Sequence, residues 1–157
     1  IGRLMDKSMD GSDKEKIQEM RHDAIGVRIE LASSQFFLTG GTKLKISALK
    51  TLDKIADILK QTDKKIVIEG HTDNVPYNPG NSQLKDNWDL SVKRSTAVIR
   101  ALQTKFNIDP KKMTAAGRSE FIPISDNATA EGRAANRRTR IVILPQLDQF
   151  FKLLERK

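Results

Sequence analysis

Ile66-Val67-Ile68-Glu69 runs into Gly70 and then into a short polar tip, His71-Thr72-Asp73-Asn74. A run of strand-forming residues that ends on glycine and polar side chains reads as a buried strand delivering a loop that displays chemistry. Such a strand needs partner strands beside it and helices to cover it. In sheets of that kind ligands sit just past the carboxyl ends of the strands. Thr72 and Asp73 are therefore the first candidates for a binding site.

The flanking segments supply the partners. Ile25 to Leu31 alternates apolar and polar residues, which predicts a strand with Ile25, Val27, Ile29 and Leu31 on one face. Phe36 and Phe37 follow, then a turn at Leu38-Thr39-Gly40-Gly41. From Lys43 to Lys60 the residues Leu44, Ala48, Leu52, Ile55 and Leu59 mark one face of a helix. Asn74 to Asp86 is a polar loop with Pro76, Pro79 and Gly80, long enough for a functional insertion. Asn87 is placed to cap a second helix, with Asp89 in its first turn and Trp88, the one tryptophan, at its start. Val92, Ser95, Ile99, Leu102 and Phe106 share a face of that helix, and Asn107-Ile108-Asp109-Pro110 stops it. Met113 to Gly117 reads as a short strand, Thr129 to Arg137 as a short helix and Thr139 to Leu144 as a last strand. Leu147, Phe150, Phe151 and Leu154 predict a final helix over 146–156. The order implies an α+β sandwich: a mixed sheet with helices on one face, plus a C-terminal helix.

Residues 1–25 are expected to lie outside that domain. Ile17, Met20 and Ala24 fall at helical spacing after Ser12 and Asp13, as Ile1, Leu4, Met5 and Ser8 do earlier. A narrow apolar stripe suits a coiled-coil remnant or linker and a homodimer formed through it; a loose leader has the same composition. The domain is then 26–157. The chain starts on Ile1, so it is read as a fragment whose export signal or anchor stood upstream. No apolar run approaches the ~20 residues that span a membrane.

The absence of cysteine excludes disulfides, thiolate metal sites and cysteine nucleophiles. A net charge of +8 favours acidic partners, or belongs to a solvated basic surface. No serine–histidine–acid set and no pair of carboxylates flanking a cleft is evident, so the chain is not read as an enzyme. Gly40-Gly41 lacks phosphate-loop spacing. One Trp and one Tyr give little stacking surface for nucleic acid. His71 and Asp73 are two apart, as metal ligands can be, but a third ligand is missing from the region, and no metal or other cofactor is expected.

What remains is a carboxylate with arginines. The plain reading of Asp73 is a turn aspartate bonded to its own backbone. Arg94 borders the buried helix face between Leu90 and Val98, where its plain reading is an arginine that snorkels to the surface. Arg137 and Arg138 enter the last strand and point to opposite faces, so one can aim at a site while the other meets solvent. Their plain reading is a basic edge strand. Taken together, Asp73 can accept from an ammonium and an arginine fork can clasp a carboxylate. Those are the two groups of a zwitterion.

Three stretches carry a resemblance: Ile68-Glu69-Gly70-His71-Thr72-Asp73-Asn74, Asn87-Trp88-Asp89-Leu90-Ser91-Val92-Lys93-Arg94, and Glu131-Gly132-Arg133-Ala134-Ala135-Asn136-Arg137-Arg138. In that order, and from Val27 to Leu144, the chain resembles the OmpA-like peptidoglycan-binding domain of OmpA, Pal and MotB. In look it is similar to OmpA/MotB-type envelope proteins of the Bacteroidetes, which often carry a lipid anchor and a coiled coil upstream. The resemblance implies non-covalent binding of the peptidoglycan stem peptide at its diaminopimelate, in the periplasm, by a protein attached to the outer membrane. It implies that Asp73 takes the ligand's ammonium and Arg94 its carboxylate, with Arg138, or failing that Arg137, as a second positive contact. Thr72, Leu90 and the loop from Phe37 to Gly41 would line the pocket, and Asn87 would hold the start of the helix that carries Arg94. Two departures stand out. Ser95 replaces a usual alanine, and Gly117-Arg118-Ser119-Glu120 replaces a usual Gly-Tyr-Gly-Glu, which puts Arg118 at the expected pocket rim.

Overall fold

The computed structural model describes residues 17–23, 26–38, 40–77, 84–145 and 154. Five strands form one mixed sheet: β1 (Ile17–Asp23), β2 (Gly26–Ala32), β3 (Ile66–His71), β4 (Met113–Gly117) and β5 (Arg138–Ile143), in the order β1-β2-β5-β3-β4. β5 runs antiparallel to both β2 and β3, and β3 is parallel to β4. The helices are α1 (Ser33–Phe36), α2 (Ile46–Leu59), α3 (Asn87–Thr104) and α4 (Ala130–Asn136).

Period-two alternation decides which residues face the helices. Ile29 and Leu31 of β2, Ile66 and Ile68 of β3, and Ile141 and Ile143 of β5 all enter one core. Leu52, Ile55 and Leu59 of α2 and Val98, Ala101 and Leu102 of α3 close it from the other side. This is the mixed sheet with helices on one face that the patterning predicts. α3 stops where Asn107 takes a left-handed φ of 58° and the Ile108 N–H returns to the Leu102 carbonyl.

Two expectations are corrected. Ile17, Met20 and their neighbours form no helix; β1 pairs antiparallel with β2, Ile17 opposite Leu31 and Asp23 opposite Gly26. Helical spacing of a few apolar residues was outweighed by the open hydrogen-bonding edge of β2, which β1 satisfies. The 1–25 linker boundary is thereby displaced: Ile17–Asp23 belong to the sheet. Residues 1–16 lie outside the described residues, as does the 146–156 helix except for Leu154. The second correction is β5. It is the middle strand of the sheet, so Arg137 and Arg138 do not lead into an edge strand.

The close fit of α3 to the sheet depends on two glycines. Gly70 and Gly117 are register partners across β3 and β4. A Cβ on Gly70 would strike the Ser91 carbonyl, and one on Gly117 would crowd the Ser91 Oγ at 2.7 Å. With hydrogens there instead, the second turn of α3 lies directly on the carboxyl ends of both strands. That contact sets where Arg94 stands relative to Asp73.

Candidate functional site

Asp73 lies two residues beyond β3 and is held on every side. The Thr72 N–H donates to the Ser119 carbonyl at 2.9 Å, and the Thr72 hydroxyl to the Asp73 carbonyl at 2.8 Å. The Val75 N–H donates to Asp73 Oδ1 at 3.1 Å, the turn bond expected of such an aspartate. Asn87 does not cap α3. Asp86 does, accepting from the Asp89 N–H at 3.0 Å, one residue earlier than the sequence suggests. Asn87 Nδ2 is thereby free to clamp the loop, donating to the carbonyls of Val75 at 3.0 Å and Asp73 at 3.4 Å. Its sequence-derived role becomes holding Asp73 in place. Ser119, whose carbonyl anchors Thr72, sits at φ 53°, a left-handed conformation that disfavours a side chain.

Arg94 projects from the second turn of α3 into the same cavity and is 5% exposed. Its Nε donates to the Gly41 carbonyl at 2.9 Å, and its guanidinium lies 5.1 Å from the centre of the Phe37 ring. It does not snorkel. Burial pulls its pKa below the ordinary arginine value; Arg137 adds to this, while Tyr77 and Asp73 oppose it. Among the described residues no carboxylate forms an ion pair with it. A desolvated guanidinium without a counter-ion is costly, and an incoming carboxylate relieves that cost.

The two adjacent arginines part company, though not as expected. Arg137 turns into the cavity and donates from Nη1 to Asp73 Oδ2 at 2.6 Å. Arg138, expected as the second positive contact, does not reach the cavity. It is 0% exposed, 3.3 Å from Glu30, and donates to the carbonyls of Asn136 and Ile122 at 3.0 Å each. Glu30 also holds Arg140 at 2.5 Å. Arg138 thus ties the sheet to the 118–128 loop. Arg118 is not at the rim either; it is half exposed and pairs with Glu69 at 3.6 Å.

The cavity measures about 480 Å³. Thr72, Asp73, Asn87, Leu90, Arg94 and Arg137 line it, with Phe37, Leu38 and Gly40 on the facing loop. Tyr77 and Arg133 belong to it and were missed. Arg133 had a signal, since it precedes Arg137 by one helical turn and so shares its side of α4. Tyr77 had none beyond being the one tyrosine; its hydroxyl donates to the Gly40 carbonyl at 2.9 Å. Among the described residues the lining carries one carboxylate, Asp73, and three guanidinium groups.

Residues 36–137 match the OmpA family. The chain belongs to that family. Motility protein B of Bacillus subtilis is 34% identical to it over 129 residues, 82% of this chain and 49% of that protein. Outer membrane porin F of Pseudomonas aeruginosa is 36% identical over 98 residues, 62% of this chain and 26% of the porin. The chain thus spans half or less of these two relatives. Among solved structures, the cell wall anchor of the T6SS from Pseudomonas aeruginosa superposes with a TM-score of 0.78 at 25% identity, covering 92% of this chain and 96% of that one. A putative MotB-like protein from Desulfovibrio vulgaris gives 0.81 at 28%, covering 92% and 88%. In this OmpA-family domain the Asp73 and Arg94 motifs therefore stand on a shared fold.

His71 lies on the other face of β3 from the core. It is 1% exposed and 3.3 Å from Glu69, with Arg138 and Arg140 as the nearby cations. Burial lowers its pKa below the ordinary 6.5, opposed by Glu69 and reinforced by the two arginines. Its hydrogen bond to Glu69 holds that carboxyl below 4.5 against the pull of burial, with Arg118 and Arg140 assisting. Both groups therefore bind protons more readily in the unfolded chain. Stability is full above about pH 6.5, declines as His71 is forced to protonate, and declines again below 4.5 as Glu69 does. Urea midpoints followed downward from neutrality should show both stages, and His71→Asn should lose the first and weaken the second, because the His71 hydrogen bond is the main influence holding Glu69 low.

Proposed function

We propose that this chain binds peptidoglycan non-covalently through the stem peptide, at a diaminopimelate residue, and so tethers an envelope protein to the cell wall in the periplasm. The observation that carries the reading is Arg94: a buried guanidinium with no acidic partner among the described residues, in one cavity with Asp73. The free end of diaminopimelate presents an ammonium and a carboxylate on one carbon. Asp73 accepts from the ammonium, sharing its carboxylate with Arg137, and the Arg94 fork receives the carboxylate. Nothing in this requires bond breaking, and binding alone is the action.

Charge-assisted hydrogen bonds are worth roughly 1.5–3 kcal/mol each. Three or four of them, less the costs of desolvation and ordering, place the affinity on the order of micromolar to millimolar. That is sufficient where many anchored copies face one polymer, because rebinding is local. The relatives named outer membrane porin F and cell wall anchor support a tether between the outer membrane, or an envelope complex, and the wall. The 34% identity to motility protein B favours a second reading for the whole protein, a motor stator subunit that grips the wall with this same cavity.

Calorimetric titration separates the zwitterion clamp from mere cation binding. Meso-diaminopimelate should bind at least tenfold more tightly than cadaverine, which has the ammonium groups without a carboxylate beside either. Equal affinity for the two would remove Arg94 from the recognition.

A further inference from the structure

A second cavity, about 440 Å³, adjoins the first. Tyr77 lines both, and the Gly40-Gly41 turn contributes one residue to each. The Tyr77 hydroxyl bonded to the Gly40 carbonyl forms the partition between them. The far wall of the second cavity is α3, through Lys93, Thr96, Ala97 and Arg100. These are spaced i, i+3, i+4 and i+7, so they form one stripe along the helix. Lys93 and Arg100 stand about 10 Å apart along its axis. Thr96 and Ala97 between them are small, and the Thr96 hydroxyl is turned back to the Val92 carbonyl at 2.8 Å. Both cations are exposed, and among the described residues neither head group has an acidic partner. No acidic residue lines this cavity among the described residues.

We propose that the second cavity is a subsite for the further carboxylates of the same peptide ligand, with Lys93 and Arg100 as its recognition pair. The inference rests on the peptidoglycan reading and deepens it. Arg94 and Lys93 are neighbours in sequence and face different cavities, so one helix presents the clamp for the diamino acid and the pair for what is attached to it. An extended peptide advances about 3.3–3.6 Å per residue. Three residues therefore cover the length of the stripe, and a stem peptide has further carboxylates within that reach of its diamino acid. The ligand class is an acidic peptide that crosses the Tyr77 partition, not a free amino acid.

The test compares two probes on three proteins. Meso-diaminopimelate reports the first cavity alone, and the tripeptide L-alanyl-γ-D-glutamyl-meso-diaminopimelate reports both. The proteins are wild type, Lys93→Gln/Arg100→Gln, and a control with the same change of charge at exposed positions remote from either cavity, Lys60→Gln/Lys111→Gln. All three should bind diaminopimelate equally, which also shows that each is folded. Only Lys93→Gln/Arg100→Gln should bind the tripeptide more weakly, by about tenfold. Tripeptide affinity equal to that of the control overturns the subsite and leaves the diaminopimelate reading standing. Wild-type protein that binds neither probe overturns both.

Discussion

Arg94→Lys should lower affinity for diaminopimelate at least a hundredfold and abolish cosedimentation with purified sacculi, while the domain stays folded. The substitution keeps a basic residue and still removes what the site uses. Lysine cannot donate to the Gly41 carbonyl and present a fork to a ligand at the same time. Its ammonium, desolvated where Arg94 is 5% exposed, is readily pushed toward the neutral form, which arginine resists. Two charge-assisted bonds at roughly 1.5–3 kcal/mol each are lost from the complex, which sets the hundredfold floor. The free protein loses one hydrogen bond at Gly41, about 1 kcal/mol. Circular dichroism and a urea midpoint would establish the fold, and titration the affinity. Retention of a folded Arg94→Lys protein on sacculi at the wild-type level would sink the clamp.

Arg138→Ala should cost about 3–5 kcal/mol of stability, whereas Arg137→Ala should cost under about 1 kcal/mol. The residues are adjacent and carry the same side chain, so the contrast isolates environment. Removing Arg138 leaves the Asn136 and Ile122 carbonyls without their donor and Glu30 with Arg140 alone, and of these Asn136 and Glu30 are buried. Removing Arg137 breaks one ion pair whose arginine side chain is 37% exposed. Denaturant midpoints of the two variants decide the matter. An Arg138→Ala protein as stable as wild type would mean that its buried pair contributes nothing net.

The central elements were legible because each rests on a strong local signal. The apolar run before Gly70 placed β3 and with it Asp73; the spacing of Val92, Ser95, Ile99, Leu102 and Phe106 placed α3 and with it Arg94, although the buried face is rotated, with Leu90, Val98, Ala101 and Leu102 inside and Val92 exposed. The assignment of Arg137 and Arg138 was not legible. Alternation says that neighbours diverge, yet it does not say which face is closed. Here the face away from the helices is covered at Arg138 by the 118–128 loop, so the residue expected to meet solvent or a ligand is instead buried in an ion pair. β1 was misread for a related reason. An edge strand is recruited by the free hydrogen bonds of its neighbour, and few of its own side chains announce it. Asn87 was displaced from its capping role by a single residue, a shift smaller than sequence patterns resolve.

The position of β3 bears on how the domain would carry load. Asp73 follows its carboxyl end directly, and β3 is flanked on both sides, by β5 from Ile66 to His71 and by β4 from Ile66 to Gly70. Tension drawn from a wall-bound ligand along the axis of β3 is shared among the rungs of two ladders, which must shear together before the strand can slip. The same tension at an edge such as β1, with one ladder, would open its rungs in turn. A grip of modest affinity on a strand held by two ladders should let go of its ligand before the fold yields.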